Sequence, residues 1–449
     1  MSEPWRGRRL HFLGVGGAGM SGYARAAHAL GAQVSGSDGS DGPYLQRLGA
    51  DGVLEAKIGH RAQNIPAGDD IEIYYSSAVG EENVERRAAR ERGLVQRPRA
   101  KLLGELTRLR RTIAVAGTHG KTTTASMIVH ALRAAGMRPG WLVGAPIGGG
   151  LANSQWGEGE WLVVEADESD RSMLSLSVEI ALLTNVELDH HATFASLGEL
   201  EAAFREFLEL ASSAVVVWDR PQLLVLSALA SKPGVERIAY DVPDPLLAAG
   251  GSRFGWHGRE VTLAVPGAHN ALNAAGALEA ARMAGADAEL AIGGLAGFHG
   301  AGRRFQALGK SRHGALLYED YAHHPTEIAA TLRAARTLAP SRLVAVFQPH
   351  LYSRTALLAR EFGRALALAD VVVVLDVYPA RERAEDFPGV SGLLIARASA
   401  EAAGGRPVYW LPSFADAQPV LSDVLAAGDV CLVMGAGDVD ALGHALVAS

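Results

Sequence analysis

The stretch Val115-Ala116-Gly117-Thr118-His119-Gly120-Lys121-Thr122-Thr123 decides how the chain folds. A β-branched apolar run, Thr112 to Val115, leads into it, and Thr124 to Ala135 follows with apolar residues at helical spacing before Gly136. A glycine turn between a strand and a helix aims backbone N–H groups and a positive helix end at one anion. Lys121 then has the reach for the terminal phosphates of a nucleotide, and the Thr122 hydroxyl is placed to ligate Mg²⁺. The usual loop has a further glycine five residues before Gly120; Val115 stands there, and Gly117 supplies the flexibility instead. The stretch reads as the phosphate loop of an ATP enzyme, with Gly117, Thr118, Gly120, Lys121, Thr122 and Thr123 as its nucleotide-binding residues.

Lysine usage strengthens that reading. Of 42 basic residues only 5 are lysine, and one of them falls where a flexible point charge suits a phosphate. A net charge of -7 without a long basic run argues against nucleic acid as a partner. The single cysteine, Cys431, lies in the apolar run Val430 to Met434, which excludes a disulfide framework within the chain and suits a buried strand in a reducing compartment. Arg6, Arg8 and Arg9 before Leu10 superficially resemble a secretion signal. Glycines at 14, 16, 17 and 19 and His11 break up the apolar core such a signal needs. The longest strongly apolar run, Val371 to Leu375, has the length of a strand and not of a membrane span. The expectation is a cytoplasmic protein without a membrane partner, monomeric or weakly dimeric.

Upstream, Leu10 to Leu13 reads as a strand, followed by Gly14-Val15-Gly16-Gly17-Ala18-Gly19 and a helix from Ser21 to Leu30. This glycine pattern between strand and helix fits a ligand carrying a diphosphate and a sugar. Asp38, nineteen residues past Gly19, is placed as the ribose-binding acid. A dinucleotide and a UDP group both satisfy the pattern. The strand Ile71 to Tyr75 ends in Ser76-Ser77-Ala78, small enough to admit a ligand, and an arginine-rich helix, Glu81 to Arg92, follows. Downstream, strands and helices alternate from Leu316 to Leu375, then comes a proline-bearing, less regular region before Val430 to Met434 and a last helix, Val439 to Val447. The pattern predicts an α/β fold with three domains: a Rossmann-like N-terminal domain (1–106), a central P-loop ATPase α/β domain (107–305) and a C-terminal doubly wound α/β domain (306–449).

Loops at the carboxyl ends of parallel strands converge on one crevice. Trp161 to Val164 runs into Glu165-Ala166-Asp167-Glu168, and Ile180 to Thr184 into Asn185-Val186-Glu187-Leu188-Asp189-His190-His191. Glu165 and His190 are therefore candidate metal ligands with Thr122, set against the plainer readings of a solvated strand end and a satisfied polar histidine. His269 and Asn270 open an alanine-rich helix; the asparagine reads from its residues alone as a helix cap. Tyr318 to Pro325 and Gln348 to Thr355 crowd polar residues onto two successive strand ends, which marks a working surface.

Seven motifs, GVGGAGMSG, GTHGKTTT, EADESD, TNVELDHH, HNALNA, DYAHHPTE and FQPHLYSRT, occur in an order similar to that of the Mur ligase family, from His11 to the C-terminus. The resemblance implies a UDP-sugar-binding first domain, a central ATPase domain, and a third domain that closes over the site and admits an amino acid. It implies ATP-dependent joining of L-alanine to the lactyl carboxylate of UDP-N-acetylmuramate, in peptidoglycan precursor synthesis, through an acyl phosphate that the alanine amine attacks. Carried onto this sequence, Gly16, Gly17, Gly19, Ser21, Asp38, His60 and Ser77 surround the UDP group. His269 and Asn270 contact adenine and nucleoside, and Asp320 the ribose. Tyr321, His323, His350 and Arg354 line the acyl phosphate and alanine pocket, while Lys121, Mg²⁺ on Thr122 and a second Mg²⁺ on Glu165 and His190 offset the charge of two anionic reactants. Other Mur ligases hold a metal through a carbamylated lysine; no lysine lies between Lys121 and Lys232 here, which suits the branch without it. Some relatives carry arginine after the QPH histidine, where this chain has Leu351, which puts more weight on Arg354.

Three alternatives stay open at this level. A recycling ligase would join a ready-made tripeptide to the same UDP-sugar, and FQPHLYSRT speaks against it. A nicotinamide dehydrogenase explains the first forty residues and leaves Lys121 without a role. A P-loop scaffold ATPase predicts turnover indifferent to UDP-sugars.

Overall fold

The computed structural model describes residues 3–190, 193–248 and 250–448. The chain divides into two compact units: one runs to Asp241 and resumes over Asn273–Leu295, and the other comprises Val242–Leu272 and everything from Ala296 on.

The first unit holds two sheets. One is wholly parallel, with strands in the order Lys57–Ile58, Gln33–Asp38, Arg9–Leu13, Ile71–Tyr75, Gln96–Pro98. The other has the order Glu236–Tyr240, Ala211–Trp218, Val178–Leu183, Arg111–Ala116, Trp161–Glu165, Gly140–Leu142, Ser154–Gln155, parallel except for its last pair. Near-continuous apolar strands suit parallel sheets covered on both faces, and Ile113, Val115, Leu162, Val164, Ile180 and Leu182 are all fully buried. In each sheet the chain reverses its direction of strand addition at one strand: Arg9–Leu13 in the first and Arg111–Ala116 in the second. The two glycine turns leave from those strands, so each opens at a topological switch point, where open α/β sheets bind ligands. The helix Arg99–Arg108 packs on Ser172–Ser175 so closely that a Cβ on Gly104 would lie 2.5 Å from the Ser175 carbonyl oxygen.

The second unit contains a six-stranded sheet in the order Gln306–Lys310, Leu316–Asp320, Asp429–Met434, Arg342–Phe347, Val371–Val374, Val408–Trp410, with only the first strand antiparallel. Cys431 lies fully buried in its middle, where burial pushes the thiol up to about 12. A small antiparallel sheet, Leu246–Ala248, Gly251–Trp256 and Arg259–Leu263, was not foreseen from the sequence. The supposedly less regular region is also ordered: it carries helices Gly392–Ala402 and Phe414–Val424, the latter with Pro419 inside it. No described helix is long and apolar enough to cross a membrane.

Helix starts fall earlier than apolar spacing alone suggests. The first helix is Ala18–Ala29, because Gly17 already acts as its extended N-cap and Gly19 lies in its first turn. The helix after the phosphate loop is Lys121–Ala134, starting directly behind Gly120.

Candidate active site

Gly117 and Gly120 make the sharp turn of the phosphate loop with φ of 127° and 82°, a region L side chains rarely adopt. A Cβ on Gly117 would overlap the Thr184 hydroxyl, and one on Gly120 would lie 2.7 Å from Asn273 Oδ1. The loop is stapled to the end of the neighbouring strand. Thr118 Oγ1 donates to the Glu187 carbonyl (2.8 Å), Thr184 Oγ1 to the His119 carbonyl (2.6 Å), and His119 N to Asn185 Oδ1 (2.9 Å). His119 Nε2 lies 3.0 Å from Glu187 Oε2. The loop is thus preformed, with the first-turn N–H groups of a fourteen-residue helix behind it.

Lys121 is folded back into this loop. Its Nζ donates to the carbonyls of Gly117 (2.6 Å) and Thr118 (3.2 Å) and to Glu168 Oε1 (2.9 Å). Burial opposes its charge, but Glu168, Asp167 and Glu165 outweigh burial and raise its pKa above that of an ordinary lysine. Thr122 Oγ1 donates to both oxygens of Glu165 (2.9 and 3.0 Å), and Gly144 N donates to Glu165 Oε2 (2.7 Å). A hydroxyl and a carboxylate beside a phosphate loop are the oxygen donors that a hard divalent cation takes, so the residues present fit such an ion. Thr123 is buried in the first turn of the helix.

The structure sets beside His190 a carboxylate that the sequence expectation did not name. Its Nε2 lies 3.4 Å from Glu168 Oε1, and among the described residues it shares no hydrogen bond or ion pair with Glu165. His191 lies outside the described residues. Glu168 stands in a motif quoted from the sequence but was given no role there. It is fully buried, and among the described residues its second oxygen has no hydrogen-bond partner. Asp167 and Asp170 bind Arg99 (2.9 and 2.8 Å), and despite burial Arg99 and Lys121 hold Asp167 down to about 2.

At the first glycine turn, Gly16 N donates to Asp38 Oδ2 (2.8 Å), so the acid at the end of one strand holds the turn of the next. Gly17 caps the helix, a Cβ on Gly19 would lie 3.2 Å from Arg99 Nη1, and Ser21 Oγ donates to the Ala18 carbonyl (2.9 Å). Ser77 is exposed, just after the strand Ile71–Tyr75. His60 is held by a buried carboxylate that sequence reasoning missed. Glu85 accepts from Ser37 Oγ (2.9 Å), Asn64 Nδ2 (2.9 Å) and Arg61 N (3.1 Å), and lies 3.1 Å from both His11 and His60. An acid buried within an arginine-rich helix was its only sequence signal.

In the second unit, Asp320 ends its strand with Oδ2 accepting from Phe305 N (2.8 Å) and Oδ1 from Ala322 N (2.7 Å); burial nevertheless pushes it up to about 6. Tyr321, His323 and His350 form a chain of ring contacts with centroids 5.4 and 6.1 Å apart, which Tyr378 extends by stacking on His350 at 5.8 Å. Arg354 is buried, with Nη1 3.3 Å from His350 Nδ1. Arg303 and Arg304 lie over the Tyr321 ring. The two polar strand ends singled out from the sequence therefore do converge. Asn270 is the third residue of the helix Ala268–Met283, and its amide donates back to the Pro266 carbonyl (2.7 Å), which differs from the N-cap reading. His269 is held neutral by burial, its pKa pulled down to about 4.

Comparison with known families agrees with this layout along nearly the whole chain. Residues 9–111 match the Mur ligase family catalytic domain, 115–281 the Mur ligase middle domain, and 303–437 the Mur ligase glutamate ligase domain. The chain belongs to the Mur ligase family. Among curated relatives, this Mur ligase is 40% identical to the UDP-N-acetylmuramate–L-alanine ligase of Mycolicibacterium smegmatis, over 99% of this chain and 95% of the relative. It is 44% identical to the enzyme of the same name from Kineococcus radiotolerans, over 97% and 94% of the two chains. Among solved structures, the UDP-N-acetylmuramate-alanine ligase of Thermotoga maritima superposes with a TM-score of 0.82 at 26% identity, covering 98% of each chain.

Proposed function

We propose that this Mur ligase joins L-alanine to the lactyl carboxylate of UDP-N-acetylmuramate at the expense of ATP, forming a peptidoglycan precursor. The observation that carries the reading is the near full-length identity of 40% and above to ligases named for that reaction, with the lysine loop of this chain set at a switch point of its central sheet. The assignment of 1–106 to the UDP-sugar, 107–305 to ATP and 306–449 to the amino acid belongs to the same proposal.

The chemical obstacle is the approach of a carboxylate to an anionic triphosphate. Gly117 to Thr123 receive the phosphates on backbone N–H groups and a helix end, and Lys121 exchanges its internal acceptors for phosphate oxygens. Thr122 would hold one Mg²⁺ and Glu165 and His190 a second, which would supply positive charge against the phosphate oxygens. His269 and Asn270 are assigned to the adenine and nucleoside and Asp320 to the ribose. Gly16, Gly17, Gly19, Ser21, Asp38, His60 and Ser77 are assigned to the UDP group. Tyr321, His323, His350 and Arg354 are assigned to the acyl phosphate and to alanine. Arg354 suits that task because its planar fork matches two oxygens at once.

ADP release should require UDP-N-acetylmuramate and L-alanine together. Release with the tripeptide but none with alanine would replace this reading by the recycling ligase. Release indifferent to the UDP-sugar would replace it by a scaffold ATPase, and saturable NADH binding by a dehydrogenase.

A further inference from the structure

Glu85, in the first turn of the helix Val84–Glu91, is fully buried and takes no part in the phosphoryl chemistry. Its Oε2 meets Ser37 Oγ and His11 Nε2, and its Oε1 meets Arg61 N, Asn64 Nδ2 and, at 3.1 Å, His60 Nδ1. Burial opposes its charge, but the hydrogen bonds from His11, Asn64, Ser37 and His60 outweigh burial and bring its pKa to about 2. An ionised carboxylate only accepts, so the ring nitrogen that faces it must carry a hydrogen. Ser37 Oγ, 3.2 Å from the same nitrogen, directs its own hydrogen to Glu85 and can likewise only accept there.

Two acceptors therefore place the proton of His60 on Nδ1. A free histidine side chain favours Nε2 instead, so the carboxylate reverses the ordinary preference. In the neutral ring this leaves Nε2 with a bare lone pair. Among the described residues Nε2 has no hydrogen-bond partner, and the side chain is 21% exposed. The backbone sets that lone pair in the right place. Ile58 pairs with Asp38 across the sheet and Gly59 N donates to the Asp38 carbonyl (2.8 Å), so His60 stands at the carboxyl edge beside the acid that holds the first glycine turn.

We propose that Glu85 is a positioning residue that fixes His60 as a hydrogen-bond acceptor, and that His60 Nε2 reads a donor on the nucleoside of the UDP-sugar, the uracil imide N–H or a ribose hydroxyl. This rests on the UDP-sugar reading above and narrows it, because contact with a phosphate would require a donor at Nε2. The selectivity follows from the missing hydrogen. An acceptor pairs with an imide N–H or a hydroxyl, and a site built around one such bond is left unpaired by an analogue that lacks the donor.

Two measurements on the full chain test this. A long-range proton–nitrogen-15 spectrum of the histidine rings, recorded without ligand at about pH 8.5, above the ordinary histidine range, should show His60 with Nδ1 protonated and Nε2 bare. The His60 signals are assigned by their absence in His60→Asn. In Glu85→Gln, where a single amide oxygen replaces two carboxylate oxygens, the ring should become a mixture of both tautomers. Calorimetric titration with UDP then identifies the donor. His60→Asn keeps an N–H toward Glu85 and deletes Nε2, which separates reading from support. UDP methylated at the imide nitrogen, or UDP lacking the 2′- or the 3′-hydroxyl, should bind the wild type about tenfold more weakly than UDP in one of the three cases, and that difference should vanish in His60→Asn. The analogue that responds decides between imide and hydroxyl. A wild-type ring protonated on Nε2, a ring wholly protonated on Nδ1 in Glu85→Gln, or analogue differences equal in wild type and His60→Asn would overturn the proposal. A wild type that binds neither UDP nor UDP-N-acetylmuramate would instead remove the UDP-sugar reading and the reading by His60 with it, while the ligand-free spectrum would still decide the role of Glu85.

Discussion

Replacing Lys121 by alanine should do two separable things, and the structure sets the size of each. Lys121 Nζ makes three contacts, to the carbonyls of Gly117 and Thr118 and to Glu168, whose side chain is buried. Removing one partner of a buried ion pair leaves the other uncompensated, which costs about 3–5 kcal/mol. Lys121→Ala should therefore lower stability by about that amount, read from the urea midpoint at unchanged slope. Adding Glu168→Gln to Lys121→Ala removes the stranded charge and should recover about half of the loss, because the two contacts to carbonyls remain broken. Turnover should fall independently, by about 10² to 10³, the usual cost of one charge-stabilising donor, while equilibrium binding of UDP-N-acetylmuramate stays as it was. Its assigned residues lie on the other sheet, around Gly16, Asp38 and His60. Single substitutions that each cost under about 1 kcal/mol and add without coupling would show that the pair carries no such burden, and the reasoning about Glu168 would fall with it.

Acid should destabilise the protein through Glu85, whose hydrogen bonds from His11, Asn64, Ser37 and His60 outweigh burial and bring its pKa to about 2 from 4.5. The carboxylate's contribution is complete above pH 4.5 and lost as pH falls toward 2, about 3 kcal/mol at 1.36 kcal/mol per unit, and Glu85→Gln should flatten that part of a pH–stability curve. Gly117→Ala should cost about 1–3 kcal/mol in backbone strain, displace the loop from Thr184, and abolish nucleotide binding measured calorimetrically while UDP-sugar binding persists. Arg354→Ala should lower kcat by about 10² to 10³, and Arg354→Lys should fail to restore it, since an ammonium cannot reproduce the guanidinium fork; recovery by lysine would reduce Arg354 to a point charge.

What could be read from the sequence was what one short segment determines for itself. A strand, a glycine turn and a helix are local, and both glycine turns appear where the pattern put them, Gly14, Gly117 and Gly120 all with positive φ. The rule that parallel strand ends converge put Glu165 and His190 near the loop as candidate metal ligands with Thr122, but the hydrogen bond from Thr122 to Glu165 was not foreseen. What could not be read were contacts fixed by strand order. Lys121 and Glu168 are 47 residues apart and His11 and Glu85 are 74 apart, and no periodicity along the chain selects those partners.

The same distinction explains why the sequence singled out Glu165 and gave Glu168 no role, although the ion pair of His190 is with Glu168. Glu165 and Glu168 stand three residues apart in one motif, and composition ranks them equally as ligands. Their environments separate them. Glu165 ends the strand and faces the helix start, where Thr122 and Gly144 N already satisfy both its oxygens. Glu168 lies beyond the strand in the loop, sealed from solvent with one oxygen unmatched among the described residues. Of two acids with the same chemistry, the one whose hydrogen bonding is complete behaves as part of the scaffold until an ion displaces its partner, whereas the incomplete one carries a standing demand for positive charge. In this fold Lys121 meets that demand, and the group that must abandon Glu168 is the one the nucleotide recruits.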